Sequence, residues 1–263
     1  MKNKLDKPTT FIQNPNIDYS FGYMRAVPIP TKQDAFEAIE LIEKKKIIRG
    51  IILIIKLALF IPLVLKLIFE ELNITETARF VIGVFYSWLI LFFISMYSKG
   101  IEKQRLMIWT DQKYSIKYFL KNIILTLLIA FSILFFIAVL MKLLGLSIND
   151  GKEKTEQVFQ ILRNNRFLAL FTVLTAGITE ELIFRGYFMT RLQLFFKNKY
   201  MPILYSALFF AIAHAGYESI TKVVTVFLIG LIFGMHYYKY RNIKMLIAIH
   251  FLWDFFVVLI MTR

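Results

Sequence analysis

The chain of 263 residues contains no cysteine, which excludes disulfides, a thiolate nucleophile and a cysteine-based metal site. Charge is scarce as well: only 19% of residues are charged, while 58% are hydrophobic and mean hydropathy is +0.61. Water-soluble domains run nearer about 25% charged. The apolar residues come in long blocks instead of alternating with polar ones, which excludes a soluble globular domain, and disorder would need low hydrophobicity. Repeats and low-complexity tracts are absent. The opening MKNKLDKPTT lacks the apolar core of a signal peptide, so the N-terminus is expected to stay in the cytoplasm.

What is present is membrane-spanning sequence. A spanning helix needs roughly 20 mostly apolar residues, and suitable blocks lie at about Ile47–Phe69, Phe80–Tyr97, Ile123–Met141, Phe167–Phe188, Met201–Ala215, Val223–Tyr238 and Met245–Met261. The expected fold is an all-α polytopic membrane bundle of about seven spans. Lys56 and Lys66 in the first block would snorkel toward opposite interfaces. Residues 1–46 read as a basic cytoplasmic tail, irregular from Asn14 to Pro30 and then an amphipathic helix from Thr31 to Lys46 on the membrane surface. Residues 47–166 would hold spans one to three with their loops, and residues 167–263 the core that carries chemistry.

The net charge of +14 is explained by the loops and not by a nucleic-acid partner, since no basic stretch belongs to a recognisable module. Lys99, Lys103, Arg105, Lys113 and Lys117 follow the second span, Arg191, Lys197 and Lys199 the fourth, and Lys239, Arg241 and Lys244 the sixth. The intervening loops are acidic or mixed, with Glu70, Glu71 and Glu76 in one and Asp150, Glu153 and Glu156 in another. Basic loops face the cytoplasm, which puts Arg263 outside for an odd span count. The Lys, Ile, Phe and Asn bias points to a bacterial cell membrane.

Six polar residues then stand where a charge at mid-span is unfavourable by roughly 2.5–3.5 kcal/mol: Glu180, Glu181, Arg185, His214, His250 and Asp254. They must face one another or a wet cavity. On a helix, residues i and i+4 share a face while neighbours point about 100° apart. Glu181 and Arg185 therefore stack as an ion pair, and Glu180 looks elsewhere. His250 and Asp254 share a face, as do Phe210 and His214, an aromatic shelf beside an imidazole. One unpaired carboxylate, two imidazoles and a second carboxylate can perform hydrolysis. Desolvation makes a carboxylate a better base toward water, and imidazoles can position that water, hold a metal or stabilise an oxyanion. Ion conduction and a purely structural polar network are the competing readings. Neither HExxH of the zinc proteases nor GxGD of the aspartyl type occurs. Gly230 and Gly234 form a GxxxG for close helix approach, Pro62 is a candidate kink, and His236 is expected at the interface beside Tyr237 and Tyr238.

TEELIFRGYF at Thr179–Phe188 contains EExxxR, FFAIAH at Phe209–His214 contains FxxxH, and HFLWD at His250–Asp254 contains HxxxD. In this order, each within an apolar span, they resemble the CAAX protease and bacteriocin-processing (Abi) family of intramembrane endopeptidases, related to the type II CAAX prenyl proteases. The resemblance covers about Phe167 to Asp254. It implies that Glu180 activates water, that His214 and His250 position water, oxyanion or a divalent metal such as zinc, and that Asp254 stands where many members carry Asn. Glu181, Arg185 and Phe210 would support the site. The implied substrate is a membrane-associated peptide or protein. A non-proteolytic scaffold or bacteriocin-immunity protein of the same fold is the alternative, and a transporter is disfavoured by the lack of inverted repeats.

Depth along the helices adds one condition. At 1.5 Å per residue, Glu180 and His250 fall roughly 7–12 Å from the cytoplasmic boundary and His214 about 18–20 Å. The site closes only if the fifth span is short, tilted or late. Its cavity is expected to open toward the cytoplasm or sideways to lipid.

Overall fold

A computed structural model describes residues 32–144, 152–217 and 219–263. The irregular stretch expected at Asn14–Pro30 and the acidic Asp150 lie outside these. Two compact units are distinguished, Met1–Leu41, described only as helix from Lys32, and Ile42–Arg263.

Among the described residues all regular structure is helical. Helix α1 (Lys32–Ile55) passes through a π-helical turn (Lys56–Phe60) into α2 (Ile61–Glu71). Pro62 near the start of α2 accounts for the turn: its ring displaces the carbonyl four residues back, and the chain widens there instead of breaking. Helix α3 (Glu76–Tyr97) is extended by a second π turn (Ser98–Glu102), followed by α4 (Ile116–Leu143) and α5 (Lys152–Asn164). Helix α6 (Arg166–Glu180) runs into a π-helical segment (Glu181–Met189) and the single turn α7 (Thr190–Leu192). Then come α8 (Tyr200–Ala213), α9 (Ile220–Tyr240) and α10 (Ile243–Met261).

The helix starts are written in the sequence. Thr75, Ser115, Asn165, Ser219 and Asn242 cap α3, α4, α6, α9 and α10, each side-chain oxygen accepting from the backbone N–H three residues on, at 2.8–3.4 Å. Such caps satisfy N–H groups that would otherwise lack partners. Arg241, at φ 44°, ends α9 in the left-handed conformation and turns the chain into α10.

Six helical stretches are long and apolar enough to cross a membrane: Glu40–Glu71, Glu76–Glu102, Ile116–Leu143, Arg166–Leu192, Ile220–Tyr240 and Ile243–Met261. Their outward side chains, such as Phe85, Phe92, Ile124 and Phe135, are apolar, as lipid-facing residues must be. The protein is a multi-pass all-α membrane bundle. The fifth expected span is the exception: α8 has 14 residues, about 21 Å of helix, too short for a bilayer core of about 30 Å. It is the short element that the depth argument required.

Glycines set the closest contacts. A Cβ on Gly230 would meet Ala207 at 3.1 Å and one on Gly234 would meet Ile203 at 3.0 Å, so the GxxxG of α9 packs on α8. A Cβ on Gly177 would lie 3.2 Å from Phe251 N and 3.3 Å from Ile247 O. Backbone thus touches backbone where α6 crosses α10.

The bundle has two unlike ends. At one, the segment between α3 and α4 lies across the α9–α10 turn, with Asn242 donating to Gln112 O at 2.8 Å and Ile243 N to Asp111 Oδ1 at 2.9 Å. This is the end of the basic loops. At the other are the α2–α3 turn, α5 and the end of α10, where Arg163 donates to Met261 O at 3.1 Å.

Candidate active site

The two adjacent glutamates sit on the last residue of α6 and the first of the π-helical segment, and they diverge. Glu181 is fully buried while the Glu180 side chain keeps 23% of its surface open. π-helical geometry inside an α-helix recurs at functional sites. Gly177, one turn before Glu181, lets α6 approach α10, and the approach brings Glu181 against His250.

Glu181 Oε1 accepts from Arg185 Nη1 at 2.9 Å and from His250 Nδ1 at 2.6 Å. The i, i+4 ion pair read from the spacing is thus one half of a three-residue arrangement. Arg185 is also fully buried. It donates to Gly230 O at 3.3 Å and lies over the Phe210 ring at 4.4 Å, a cation–π contact in a site without water-like screening. Phe210 is therefore the shelf for a guanidinium as well as for His214, whose ring is 4.6 Å away.

Both imidazoles are held by their Nδ1 atoms. A carbonyl oxygen can only accept, so the 2.8 Å contact between His214 Nδ1 and Phe210 O puts the proton on Nδ1. The ion-paired Glu181 likewise accepts from Nδ1 of His250. In each ring Nε2 is turned to Glu180: Glu180 Oε2 is 3.8 Å from His214 Nε2 and 3.9 Å from His250 Nε2. These separations exceed a hydrogen bond and are of the length at which a bridging water has to be considered. Asp254 Oδ2 lies 3.4 Å from His250 Nε2, on the far side of the ring from Glu181. The structure thus brings together Glu180, His214, His250 and Asp254 around one space, with Glu181, Arg185 and Phe210 behind them.

A metal ion meets a spacing problem. Tetrahedral zinc at about 2.0–2.1 Å from each donor needs donor atoms closer to one another than 3.8 Å, and among the described residues no group of three His, Asp or Glu side chains is gathered to hold a metal. His214 and His250 would be the donors if one bound, after drawing together.

Glu180 and His214 form the floor of a cavity of about 640 Å³. The space exists because α8 stops at Ala213, part-way along its neighbours. Its walls are apolar, including Pro62 and Leu65 of α2, Phe80 and Val84 of α3 and Val158 of α5, and its far rim holds Lys66, Glu70, Glu76 and Arg79. It therefore leads to the α2–α3 turn and α5, away from the basic end. Of the two openings expected, toward the cytoplasm or sideways to lipid, these lining residues do not include the basic loops. The route on that side is filled by a second buried cluster: Arg191 pairs with Glu102 at 2.8 Å and donates to Ser98 Oγ and Arg105 O, each at 2.8 Å, while Tyr187 donates to Glu102 at 2.5 Å.

The Glu102–Arg191 pair escaped sequence reading because both residues look like ordinary loop charges, 89 positions apart. Gly177 escaped it too, although a lone glycine four residues before a buried glutamate is a usable signal of close helix approach. His236, expected at an interface, is buried and makes a 2.8 Å hydrogen bond with Thr126 of α4.

Fold and site define a polytopic helical membrane protein with an embedded carboxylate–histidine centre. Residues 163–256, which hold all three motifs, match the family described as type II CAAX prenyl endopeptidase Rce1-like. Over 149 residues the chain is also 33% identical to UPF0177 protein YvdC of Lactococcus lactis subsp. lactis (strain IL1403). The alignment covers 55% of this chain and 54% of that protein, so the chain spans about half the length of its bacterial relative. No solved structure matches.

Proposed function

We propose that the protein is an intramembrane endopeptidase that hydrolyses a peptide bond in a membrane-associated peptide or protein, with Glu180 as general base. The observation that carries the reading is the position of Glu180 Oε2 between the Nε2 atoms of His214 and His250, at 3.8 and 3.9 Å, on the floor of a cavity with apolar walls. The match of residues 163–256 to a prenyl-endopeptidase family supports the same class of reaction.

The chemistry follows from the donors and acceptors. Glu180 takes a proton from water as the water oxygen adds to the scissile carbonyl carbon. The carbonyl becomes an oxyanion, which an imidazolium, protonated on Nε2 as well as on Nδ1, stabilises by donating to it. As the tetrahedral carbon collapses, the C–N bond breaks and the proton on Glu180 passes to the leaving nitrogen. Glu181 holds the His250 ring at Nδ1 throughout, and Arg185 holds Glu181. No step requires a metal. Asp254, 3.4 Å from His250 Nε2, supplies the counter-charge when that nitrogen is protonated.

The test is a comparison of peptides from cells carrying the wild type or Glu180→Gln, by mass spectrometry of membrane and secreted fractions. Peptide termini lost only in the variant, at unchanged protein abundance, are the expected result. Identical peptide sets alongside a persisting wild-type phenotype would replace the enzyme with a membrane scaffold or immunity protein of the same fold.

A further inference from the structure

A second groove, of about 420 Å³, lies between α5, the first half of α6 and the end of α10, and shares no lining residue with the cavity over Glu180. Two helical stripes of one spacing form its walls. Arg166, Ala169, Leu170 and Val173 line it from α6, and Phe255, Val258, Leu259 and Thr262 from α10. Both sets follow i, i+3, i+4, i+7, a single face of a helix. The two helices cross at Gly177, beside Phe251, and run antiparallel. From Gly177 back to Arg166, and from Phe251 on to Thr262, is about 16 Å of helix in each case, so the start of α6 and the end of α10 come level. The 3.1 Å bond from Arg163 to Met261 O joins them there.

The groove is polar at that end and apolar along its length. Arg163, Arg166, Thr262 and Arg263 stand at the end, while Leu162 and Val173 form a floor only 4% and 3% exposed. Leu170, Phe255 and Leu259 flank it and are exposed, so the groove lies open on the lipid-facing side of the bundle. The spans set its level. One candidate span begins at Arg166 and another ends at Met261, which puts the guanidiniums where hydrocarbon gives way to headgroups. From Arg166 to Val173 the wall reaches about 10 Å inward, inside one leaflet's share of a hydrocarbon core about 30 Å thick.

Charge selects the occupant. Three guanidiniums meet at this end, and the ion pairs among the described residues give them one carboxylate side chain, Glu156, 3.6 Å from Arg163. Arg166 is exposed and forms no ion pair with a described residue. The planar fork of a guanidinium matches phosphate oxygens. A soluble anion would leave the apolar stripes unused, and an uncharged apolar chain would leave the guanidiniums unmatched. We propose that the groove binds one anionic phospholipid, its phosphate held by Arg163, Arg166 and Arg263 and one acyl chain laid along the α6 and α10 stripes. The site stands apart from the peptidase reading and holds whichever leaflet this end of the bundle faces.

The test takes the full chain in an uncharged detergent, with phosphatidylglycerol as the probe and phosphatidylcholine of the same acyl chains beside it. Phosphatidylglycerol is expected to raise the unfolding midpoint saturably, with one molecule retained per protein in native mass spectrometry. Phosphatidylcholine at the same concentration is expected to do neither. Arg166→Gln, which breaks no ion pair among the described residues, is expected to weaken phosphatidylglycerol binding about tenfold, the loss of a charge-assisted hydrogen bond. Ala169→Phe, which fills the apolar wall and keeps every charge, is expected to weaken it at least as much. Lys142→Gln removes a cation from the last turn of α4, outside the groove, and is expected to change nothing. Equal stabilisation by phosphatidylcholine, or by glycerol phosphate alone, overturns the proposal. So does an equal loss in Lys142→Gln, which would reduce the effect to headgroup charge in general, or unaltered binding in both groove variants. Should Arg166→Gln not fold, the lipid comparison on the wild type and Ala169→Phe still decide.

Discussion

Glu181 Oε1 lies 2.6 Å from His250 Nδ1 and 2.9 Å from Arg185 Nη1, with Glu181 and Arg185 fully buried. One carboxylate oxygen thus fixes the tautomer of an imidazole on α10 and neutralises a guanidinium on its own helical segment. Glu180, its neighbour in sequence, faces the cavity, and among the described residues its ion-pair contacts are the two imidazoles at 3.8 and 3.9 Å. On the proposed mechanism the two glutamates divide the work: one builds the site, the other takes the proton from water.

The division predicts opposite mutant behaviour. Glu181→Ala leaves the Arg185 charge buried without its partner, a loss of about 3–5 kcal/mol, and is expected to lower the midpoint of thermal unfolding in detergent and the amount of protein in membranes. Glu180→Gln removes no buried pair. Its unfolding midpoint is expected to match the wild type while cleavage falls by about 10²- to 10⁴-fold, the usual size of a general-base contribution. Equal destabilisation by both substitutions would contradict the assignment.

A second prediction concerns Glu102 and Arg191. Both are buried and the guanidinium is bonded to Glu102, Ser98 Oγ and two backbone carbonyls. Arg191→Ala strands the Glu102 carboxylate, and Glu102→Ala strands the guanidinium. Each is expected to destabilise by about 3–5 kcal/mol, and the double variant by clearly less than the two together, because the second removal takes away an uncompensated charge. A double-mutant cycle on thermal unfolding measures this, and additive losses would show the pair to be uncoupled.

Much of this was legible in the sequence, and the reasons for the rest are physical. The i, i+4 spacing announced Glu181–Arg185 and Phe210–His214, because helical residues four apart share a face whatever surrounds them. The order of apolar blocks announced the bundle. Helical spacing said nothing of the Glu181–His250 bond, which depends on how closely α6 approaches α10. The shortness of α8 was legible too: the apolar block Met201–Ala215 is within two residues of the helix at each end, and the depth of His214 required a short, tilted or late span. Which residues line the space beyond α8 was not, because they come from α2, α3 and α5, far away in sequence. His236 was misjudged as interfacial because its partner, Thr126, sits on a helix 110 residues away.

The metal prediction rests on donor spacing. His214 and His250 each turn Nε2 toward Glu180, yet at 3.8 and 3.9 Å from its Oε2 they stand farther from it than the ligands of one tetrahedral zinc ion stand from each other. Dialysis against a strong chelator is therefore expected to leave cleavage unchanged, with no stoichiometric zinc in the purified protein. Loss of cleavage restored by zinc, and abolished by His214→Ala, would instead make the two histidines ligands that close in on the metal.

The last prediction tests what brings the site together. A Cβ at Gly177 would stand 3.2 Å from Phe251 N and 3.3 Å from Ile247 O, and a backbone cannot rotate away as a side chain can. Gly177→Ala must push α6 and α10 apart by a few tenths of an ångström, and a larger Gly177→Val by more; overpacking of this kind is unfavourable by about 1–3 kcal/mol. Glu181 and His250 lie one turn beyond the contact, so the same displacement lengthens their 2.6 Å bond and loosens the imidazole. Gly100, which does not line the cavity, is the control, since a Cβ there meets nothing within 4 Å. Gly177→Ala is expected to lower both the unfolding midpoint and kcat, whereas Gly100→Ala lowers neither. If Gly177→Ala lost stability but kept full kcat, the helix crossing would hold the bundle together without positioning His250.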